Sequence, residues 1–161
     1  MAGNFENLIM MFVKAPVPGR VKTRLASCYG IDGARQLYEA FVADMLETLA
    51  ATGFPLRICF DPPSAGDHVH KWLGSQAYQY APQKGEDLGQ RMKNAFREAF
   101  AGGCRNALLI GSDIPDLPEE FLKEAFRALD QKDAVIGPSK DGGYYLIGFQ
   151  RNGFSEAVFN G

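Results

Sequence analysis

Leu8-Ile9-Met10-Met11-Phe12-Val13 is an unbroken apolar run, and Lys14-Ala15-Pro16-Val17-Pro18-Gly19-Arg20-Val21-Lys22-Thr23-Arg24 follows it directly. A short apolar run ended by a Pro/Gly loop reads as a strand buried on both faces, the position strands take in parallel sheets. Beyond the loop, residues 31 to 51 read as a helix. Leu37, Phe41, Met45 and Leu49 recur every four residues, with Ala40 and Leu46 on or near the same stripe. Strand, loop and helix together make the first half of a βαβ unit.

The alternation continues along the chain. Leu56 to Phe60 reads as a strand ended by Asp61-Pro62-Pro63, Val69 to Leu73 as a short helix, and Ala77 to Tyr80 as a weak strand. Leu88 to Phe100 is helical in pattern, with Met92, Ala95, Phe96, Ala99 and Phe100 on one side. Ala107 to Ile110 is a second buried strand, and Pro118 to Leu129 a helix with Phe121, Leu122, Ala125, Phe126 and Leu129 on its apolar side. Ala134 to Ile136 and Tyr144 to Ile147 complete the strands, joined through Asp141-Gly142, a strong hairpin signal. Alternating elements imply a three-layer α/β/α fold with a mostly parallel sheet, read as one domain over residues 1–161. In such folds ligands collect beyond the carboxyl ends of the strands, so the loops after Val13 and Ile110 are the informative ones.

Bulk composition narrows the function classes. At a net charge of −2, general affinity for nucleic acid is not expected, so any anion site must be local. Cys28, Cys59 and Cys104 are widely spaced and form no C-x-x-C pair, which points to a reducing, cytoplasmic setting rather than a zinc or disulfide framework. The first apolar run is too short to span a bilayer, and no basic segment precedes it.

The first loop is the local exception to the acidic balance. Residues 7 to 31 carry no Asp or Glu, yet contain Lys14, Arg20, Lys22 and Arg24. Gly19 allows close backbone approach, and Lys22 and Thr23 open a short helix whose first amides favour anions. Arg forks and Lys point charges suit a diphosphate or triphosphate. The loop is neither a P-loop, since Gly19-Arg20-Val21-Lys22-Thr23 lacks a glycine before the lysine, nor a G-x-G-x-x-G turn. Pro16 and Pro18 remove two amides, so the side chains must carry more of any phosphate binding. A solvated basic loop accounts for the same residues.

Asp113, in Gly111-Ser112-Asp113-Ile114-Pro115-Asp116-Leu117, follows a buried strand and suits Mg²⁺ or Mn²⁺, which bind one or two carboxylates plus substrate phosphates. It reads equally as a turn residue. Asp116, just before Pro118, reads as a helix cap. In Gln83-Lys84-Gly85-Glu86-Asp87-Leu88-Gly89-Gln90-Arg91-Met92 the glycines could let a nucleoside pack on backbone. Gln83 or Asp87 could there read base or ribose hydroxyls, while Asp87 also suits a cap. Asp141 could bind an acceptor hydroxyl or act as a base, if its pKa allows. His68, His70 and Trp72 read as surface histidines and a core tryptophan.

Four of these segments occur in an order that resembles a bacterial family of GT-A-like transferases, some described as arsenosugar-biosynthesis glycosyltransferases. They are Lys14 to Leu25, Gln83 to Met92, Gly111 to Leu117, and Gly137 to Gly148. More distantly the chain is similar to 2-phospho-L-lactate guanylyltransferase and molybdenum-cofactor guanylyltransferase. The resemblance implies a GT-A, nucleotide-diphospho-sugar transferase-like fold with nucleotide beside the first strand. It assigns Lys14, Arg20, Lys22 and Arg24 to the phosphate loop, Asp113 to the metal position, and the Asp141-Gly142-Gly143 turn to the acceptor side. Relatives continue to a further acidic segment, and the expectation is that this chain stops short of it.

Three functions fit these residues: glycosyl transfer from a nucleotide sugar, nucleotidyl transfer from a nucleoside triphosphate to a small phosphorylated acceptor, and a non-catalytic nucleotide-binding module. The family resemblance favours the first, with Asp113, Lys22 and Asp141 as the catalytic candidates. Lys14, Gly19, Arg20, Lys22, Thr23, Arg24, Gln83 and Asp87 are the candidates for holding the nucleotide, and Mg²⁺ or Mn²⁺ the metal.

Overall fold

The structure is a computed structural model that describes residues 5–74 and 77–160. In chain order it runs β1 (Asn7–Lys14), α1 (Thr23–Thr52), β2 (Leu56–Asp61), α2 (Gly66–Leu73), β3 (Gln79–Pro82), α3 (Leu88–Ala101), β4 (Asn106–Ile110), α4 (Glu119–Leu129), β5 (Ala134–Pro138) and β6 (Tyr144–Gln150). The strands form one six-stranded sheet in the order β3-β2-β1-β4-β6-β5. β1 pairs in parallel with both β2 and β4, whereas β6 runs antiparallel to β4 and β5.

Burial on both faces of β1 explains its apolar run. Leu8 and Met10 face α3, and Ile9, Met11 and Val13 face α1 and α4; all five are fully buried. The chain leaves β1 for α1 on one face and reaches β4 through α3 on the other. The β1–β4 boundary is therefore where strand order reverses and a crevice opens.

On the α3 face, Phe96 is surrounded by Phe100, Phe149, Phe154 and Phe159, with ring centroids 5.0 to 6.1 Å away. Aromatic pairs at such distances contribute about 0.5–1.5 kcal/mol each beyond area burial. They fasten the 3-10 turns at Arg151–Gly153 and Glu156–Phe159 onto α3, helped by a two-pronged Arg97–Glu156 contact at 2.8 and 2.7 Å.

Several local expectations shift. The buried stripe of α1 keeps Met45, Leu46 and Leu49 as expected but begins with Ala34, Tyr38 and Val42, whereas Leu37 and Phe41 are half-buried and Ala40 is exposed. Gly30, at φ 74° and ψ 168°, breaks the helix into a short first segment and a long second one. β3 lies two residues later than its sequence pattern suggests. Pro118 is extended (φ −68°, ψ 140°) and stands at the cap position of α4 with no side-chain cap bond. Asp116 therefore does not cap that helix; it lies in a turn closed by the Leu117 amide donating to the Ile114 carbonyl at 3.2 Å. Phe121 and Ile136, at the β5 edge of the sheet, are exposed rather than core.

The Asp141-Gly142 hairpin forms as expected. Gly142 takes φ 90°, and the Ser139 amide donates to the Gly143 carbonyl at 2.9 Å. Because β6 starts opposite the end of β4, this turn lies at the same sheet edge as the crevice.

Candidate functional site

A cleft of about 940 Å³ opens at the carboxyl ends of β1 and β4. Phe12, Val13 and Lys14 of β1 form its floor, and the following loop supplies Arg20, Lys22, Thr23 and Arg24 to one wall. Ser112 and Asp113, beyond β4, close the other side. The two loops singled out in the sequence thus share one cleft, with the Lys22 ammonium 3.9 Å from an Asp113 carboxylate oxygen.

Part of the backbone of the first loop is already hydrogen-bonded. Pro16 and Pro18 have no N–H. The amides of Ala15, Val17 and Arg20 donate to the carbonyls of Asp61, Ala15 and Val17 at 2.8, 2.7 and 3.0 Å, and the Lys14 amide donates to the Tyr38 hydroxyl at 2.8 Å. Side chains bring the formal charge to the cleft, beside the first amides of α1, which no intrahelical carbonyl accepts from. Among the described residues, Lys14, Arg20 and Arg24 make no ion pair, and all three are exposed. Gly19 (φ 81°) turns the loop and does not itself line the cleft.

Lys22 is the described non-glycine residue with a positive φ, at φ 49° and ψ 44°, immediately before the first helical residue, Thr23. That conformation costs an L-residue roughly 1–2 kcal/mol. It aims the amine between Asp113 and the face of Phe41, whose ring centre is 5.4 Å away. Asp113 is the more open partner, 63% exposed, and its carboxylate folds back over Gly111.

Behind these charges sits Tyr38, 4% exposed. Its hydroxyl accepts from the Lys14 amide and lies 3.1 Å from Ser112 Oγ, tying the end of β1 to the loop after β4. Burial, the larger effect, raises the phenol above its usual range against the lowering by those two hydrogen bonds, so it stays protonated.

The segment from Gln83 to Met92 forms the far wall. Gln83 is buried, and its amide donates to the carbonyls of Val13 (3.3 Å) and Cys59 (2.9 Å), joining β1 to β2. Asp87 caps α3 by accepting from the Gln90 amide at 2.8 Å, and both residues still border the cleft. Both glycines lie close against the chain itself. A Cβ on Gly85 would lie 2.8 Å from the Arg91 amide nitrogen, and one on Gly89 3.3 Å from the Phe159 carbonyl.

A profile of uncharacterised proteins conserved in bacteria, DUF2064, matches residues 44–161. The chain belongs to the DUF2064 family. A proposed nucleotide-diphospho-sugar transferase from Desulfovibrio desulfuricans G20 is 48% identical with a TM-score of 0.93, over 98% of this DUF2064 chain and 68% of that one. The 2-phospho-L-lactate guanylyltransferase of Methanocaldococcus infernus is 24% identical over 131 residues, 81% of this chain and 56% of the relative. The DUF2064 chain thus spans little more than half of that curated relative. Rv0371c of Mycobacterium tuberculosis, solved in complex with manganese, shares the fold, at 15% identity and a TM-score of 0.58 over 96% of this chain and 73% of that one. The expected α/β fold of nucleotide-diphospho-sugar transferases is the observed one, and the chain is similar to transferases and nucleotidyltransferases.

The remaining candidates of the DUF2064 chain are placed less centrally. Asp141 is exposed, does not line the cleft, and accepts from the Ser139 hydroxyl and from the Gly143 amide at 3.2 Å. The Ser139 bond, then the Gly143 bond, hold its pKa below the usual carboxylate value, which weakens it as a base. His68 and His70 are exposed, and Trp72 packs against the core beside Tyr38. Among the described residues no three His, Cys, Asp or Glu groups cluster as a metal site. No described helix is long and apolar enough to cross a membrane.

Sequence reasoning missed three contributors: Tyr38, Ser112, and the Arg91–Asp61 pair at 3.1 Å, whose arginine also donates to the Gly85 carbonyl at 3.0 Å. Asp61 had a readable signal, since it ends a parallel strand in register with Lys14.

Proposed function

We propose that this chain is the nucleotide-binding part of a metal-dependent transferase that takes a nucleoside diphosphate sugar as donor. The observation that supports this reading most is the meeting of Lys22 and Asp113, 3.9 Å apart, in a cleft that the unpaired Lys14, Arg20 and Arg24 also line. Lys14, Arg20, Lys22 and Arg24 would hold the diphosphate, while Thr23 sits at the same wall. As the bond to the sugar breaks, charge grows on the leaving diphosphate, and fixed cations lower that barrier most when they are in place beforehand.

Asp113 suits Mg²⁺ or Mn²⁺. Its carboxylate is open, and a hard cation held by one carboxylate commonly completes its shell with substrate phosphates and water. Bound there, the ion would neutralise the diphosphate and stabilise it as a leaving group. That Rv0371c was solved with manganese supports the same choice. The acceptor would enter beside the β5–β6 hairpin, where Asp141 shapes the turn.

A second reading, nucleotidyl transfer from a nucleoside triphosphate, is favoured by the likeness to 2-phospho-L-lactate guanylyltransferase. The same cleft would then hold a leaving pyrophosphate. Product analysis separates them: nucleoside diphosphate for the first, pyrophosphate for the second.

The test is a thermal-shift panel of nucleoside diphosphates, nucleotide sugars and nucleoside triphosphates, with and without Mg²⁺ or Mn²⁺. A ligand at one hundred times its Kd stabilises by about 2.7 kcal/mol. For a chain of this size that raises the melting point by roughly 5–10 °C. A panel that leaves the melting point unmoved, with and without metal, rejects the nucleotide reading. Metal-dependent binding without turnover of any donor points to a binding module.

A further inference from the structure

We infer that Ser112 is a phosphate-binding residue, and that Tyr38 is the positioning residue that keeps its hydroxyl turned outward as a donor. The inference rests on the cleft being a nucleotide site, as proposed above, and names a residue and a polarity within it.

Counting protons leads there. A backbone N–H can only donate, so at 2.8 Å the Tyr38 oxygen accepts from Lys14. The phenolic proton then needs an acceptor of its own. Among the described residues, Ser112 Oγ at 3.1 Å is the group within reach. Tyr38 is 4% exposed, so leaving that proton unpaired would carry the penalty of a buried donor. Ser112 Oγ therefore accepts from Tyr38, and the serine's own proton is free for a different partner.

Ser112 is half-buried, borders the cleft, and directly precedes Asp113. The sequence Lys14 N–H to Tyr38 O–H to Ser112 O–H runs one way, each donor polarising the next. A hydroxyl held in that sense suits a phosphate oxygen, and it stands across the cleft from the cationic loop. Tyr38 thereby links the two loops chemically as well as mechanically, since both of its partners lie at the mouth of the site.

The test is a double-mutant cycle on inorganic pyrophosphate binding in the presence of Mg²⁺, read by calorimetry, with melting points recorded alongside. Ser112→Ala removes a hydrogen bond to a charged group and is expected to weaken binding about tenfold or more. Tyr38→Phe keeps the ring and removes the hydroxyl that directs Ser112; a loss of about threefold to tenfold is expected. In the Ser112→Ala background, Tyr38→Phe should change affinity less than twofold, because its effect passes through the serine. A purely structural Tyr38 would instead weaken binding equally in both backgrounds, and that result overturns the assignment.

Ser112→Ala alters a loop residue and can be judged by itself if Tyr38→Phe yields little protein. An unchanged affinity there also overturns the assignment. Wild-type protein that binds neither pyrophosphate nor any nucleotide overturns this inference together with the nucleotide reading. Wild-type binding with unaffected variants overturns this inference alone.

Discussion

Replacing Lys22 by glycine separates what its backbone costs from what its amine does. The left-handed backbone at φ 49° is one that glycine adopts freely, so the change relieves about 1–2 kcal/mol of strain. Three losses oppose that gain. The Asp113 pair, 3.9 Å long with one partner largely exposed, contributes about 0.5 kcal/mol. The contact with the Phe41 ring at 5.4 Å contributes about 0.5 kcal/mol. The added freedom of glycine in the unfolded chain costs about 0.4–1 kcal/mol.

Lys22→Gly should therefore leave stability within about 1 kcal/mol of the wild type. Lys22→Ala keeps the strained backbone and loses both contacts, so it should be about 1 kcal/mol less stable, a melting point roughly 2–4 °C lower. Ligand binding should behave differently. Both variants lack the amine, and a charge-assisted bond to phosphate is worth about 1.5–3 kcal/mol, or about 10- to 150-fold in affinity. The assay is calorimetric titration of a nucleoside diphosphate with Mg²⁺, beside urea unfolding of the same samples. Wild-type affinity in Lys22→Gly, with weaker binding in Lys22→Ala alone, would show that strain rather than the amine governs binding, and would refute the assignment of Lys22 to phosphate.

Asp113→Asn should abolish the dependence of nucleotide binding on Mg²⁺ or Mn²⁺ and move the melting point by less than about 2 °C, since the pair it breaks is exposed; retained metal dependence in a metal titration would contradict it. Raising NaCl from about 0.05 to about 0.5 M should weaken pyrophosphate binding about tenfold or more, because exposed side-chain cations are screened within a few ångströms at high salt; salt-independent titrations would point to backbone amides instead. Gly148→Ala should lower stability in urea by about 1–3 kcal/mol or more, because its Cβ would press on the Leu108 side chain and meet the Ala107 carbonyl at 3.1 Å. Of the thiols, exposed Cys28 should react with Ellman's reagent at pH 8 far faster than buried Cys59 and Cys104, whose pKa values burial pushes up to about 12 and about 11. Those two stay protonated in the folded chain while the unfolded chain ionises near 9.0, so stability should fall as pH rises from about 9 toward 11, and an alkaline unfolding series checks the sign.

The sheet was legible because β1 and β4 are buried on both faces, and such strands announce themselves as unbroken apolar runs. The α1 stripe holds at Met45, Leu46 and Leu49, and its first half lies about one residue off the sequence pattern for a physical reason. Tyr38 scores as half-polar, yet its ring is buried and its hydroxyl is consumed by Lys14 and Ser112. Those partners lie 24 and 74 positions away, and no local pattern encodes such a contact. The facing of Lys22 and Asp113 could be anticipated, since a parallel sheet collects its strand-end loops at one edge. The glycines of the Gln83–Met92 stretch could not be assigned, because glycine is used equally for close approach to a ligand and to the chain itself. Pro118 misled by standing at the cap position, where an extended proline and a first helical proline look alike in sequence.

The site depends on the sheet far more than on its own contacts. Lys22 and Asp113 are brought together from positions 91 residues apart, yet their ion pair is too exposed to hold two loops in place. What fixes their separation is the β1–β4 ladder from Asn7↔Asn106 to Met11↔Ile110, with every residue of β4 buried, and the Tyr38 hydroxyl bonded to both loop roots. The crossover order sends α1 and α3 to opposite faces, so no chain crosses the gap between β1 and β4 and the cations and the carboxylate meet in open space. Charges held apart by a rigid sheet, and not satisfied by each other, are the ones left to act on a ligand. On the proposed function, the weakness of the Lys22–Asp113 contact suits a phosphate site: a short, buried pair would neutralise both groups and leave a nucleotide little to bind.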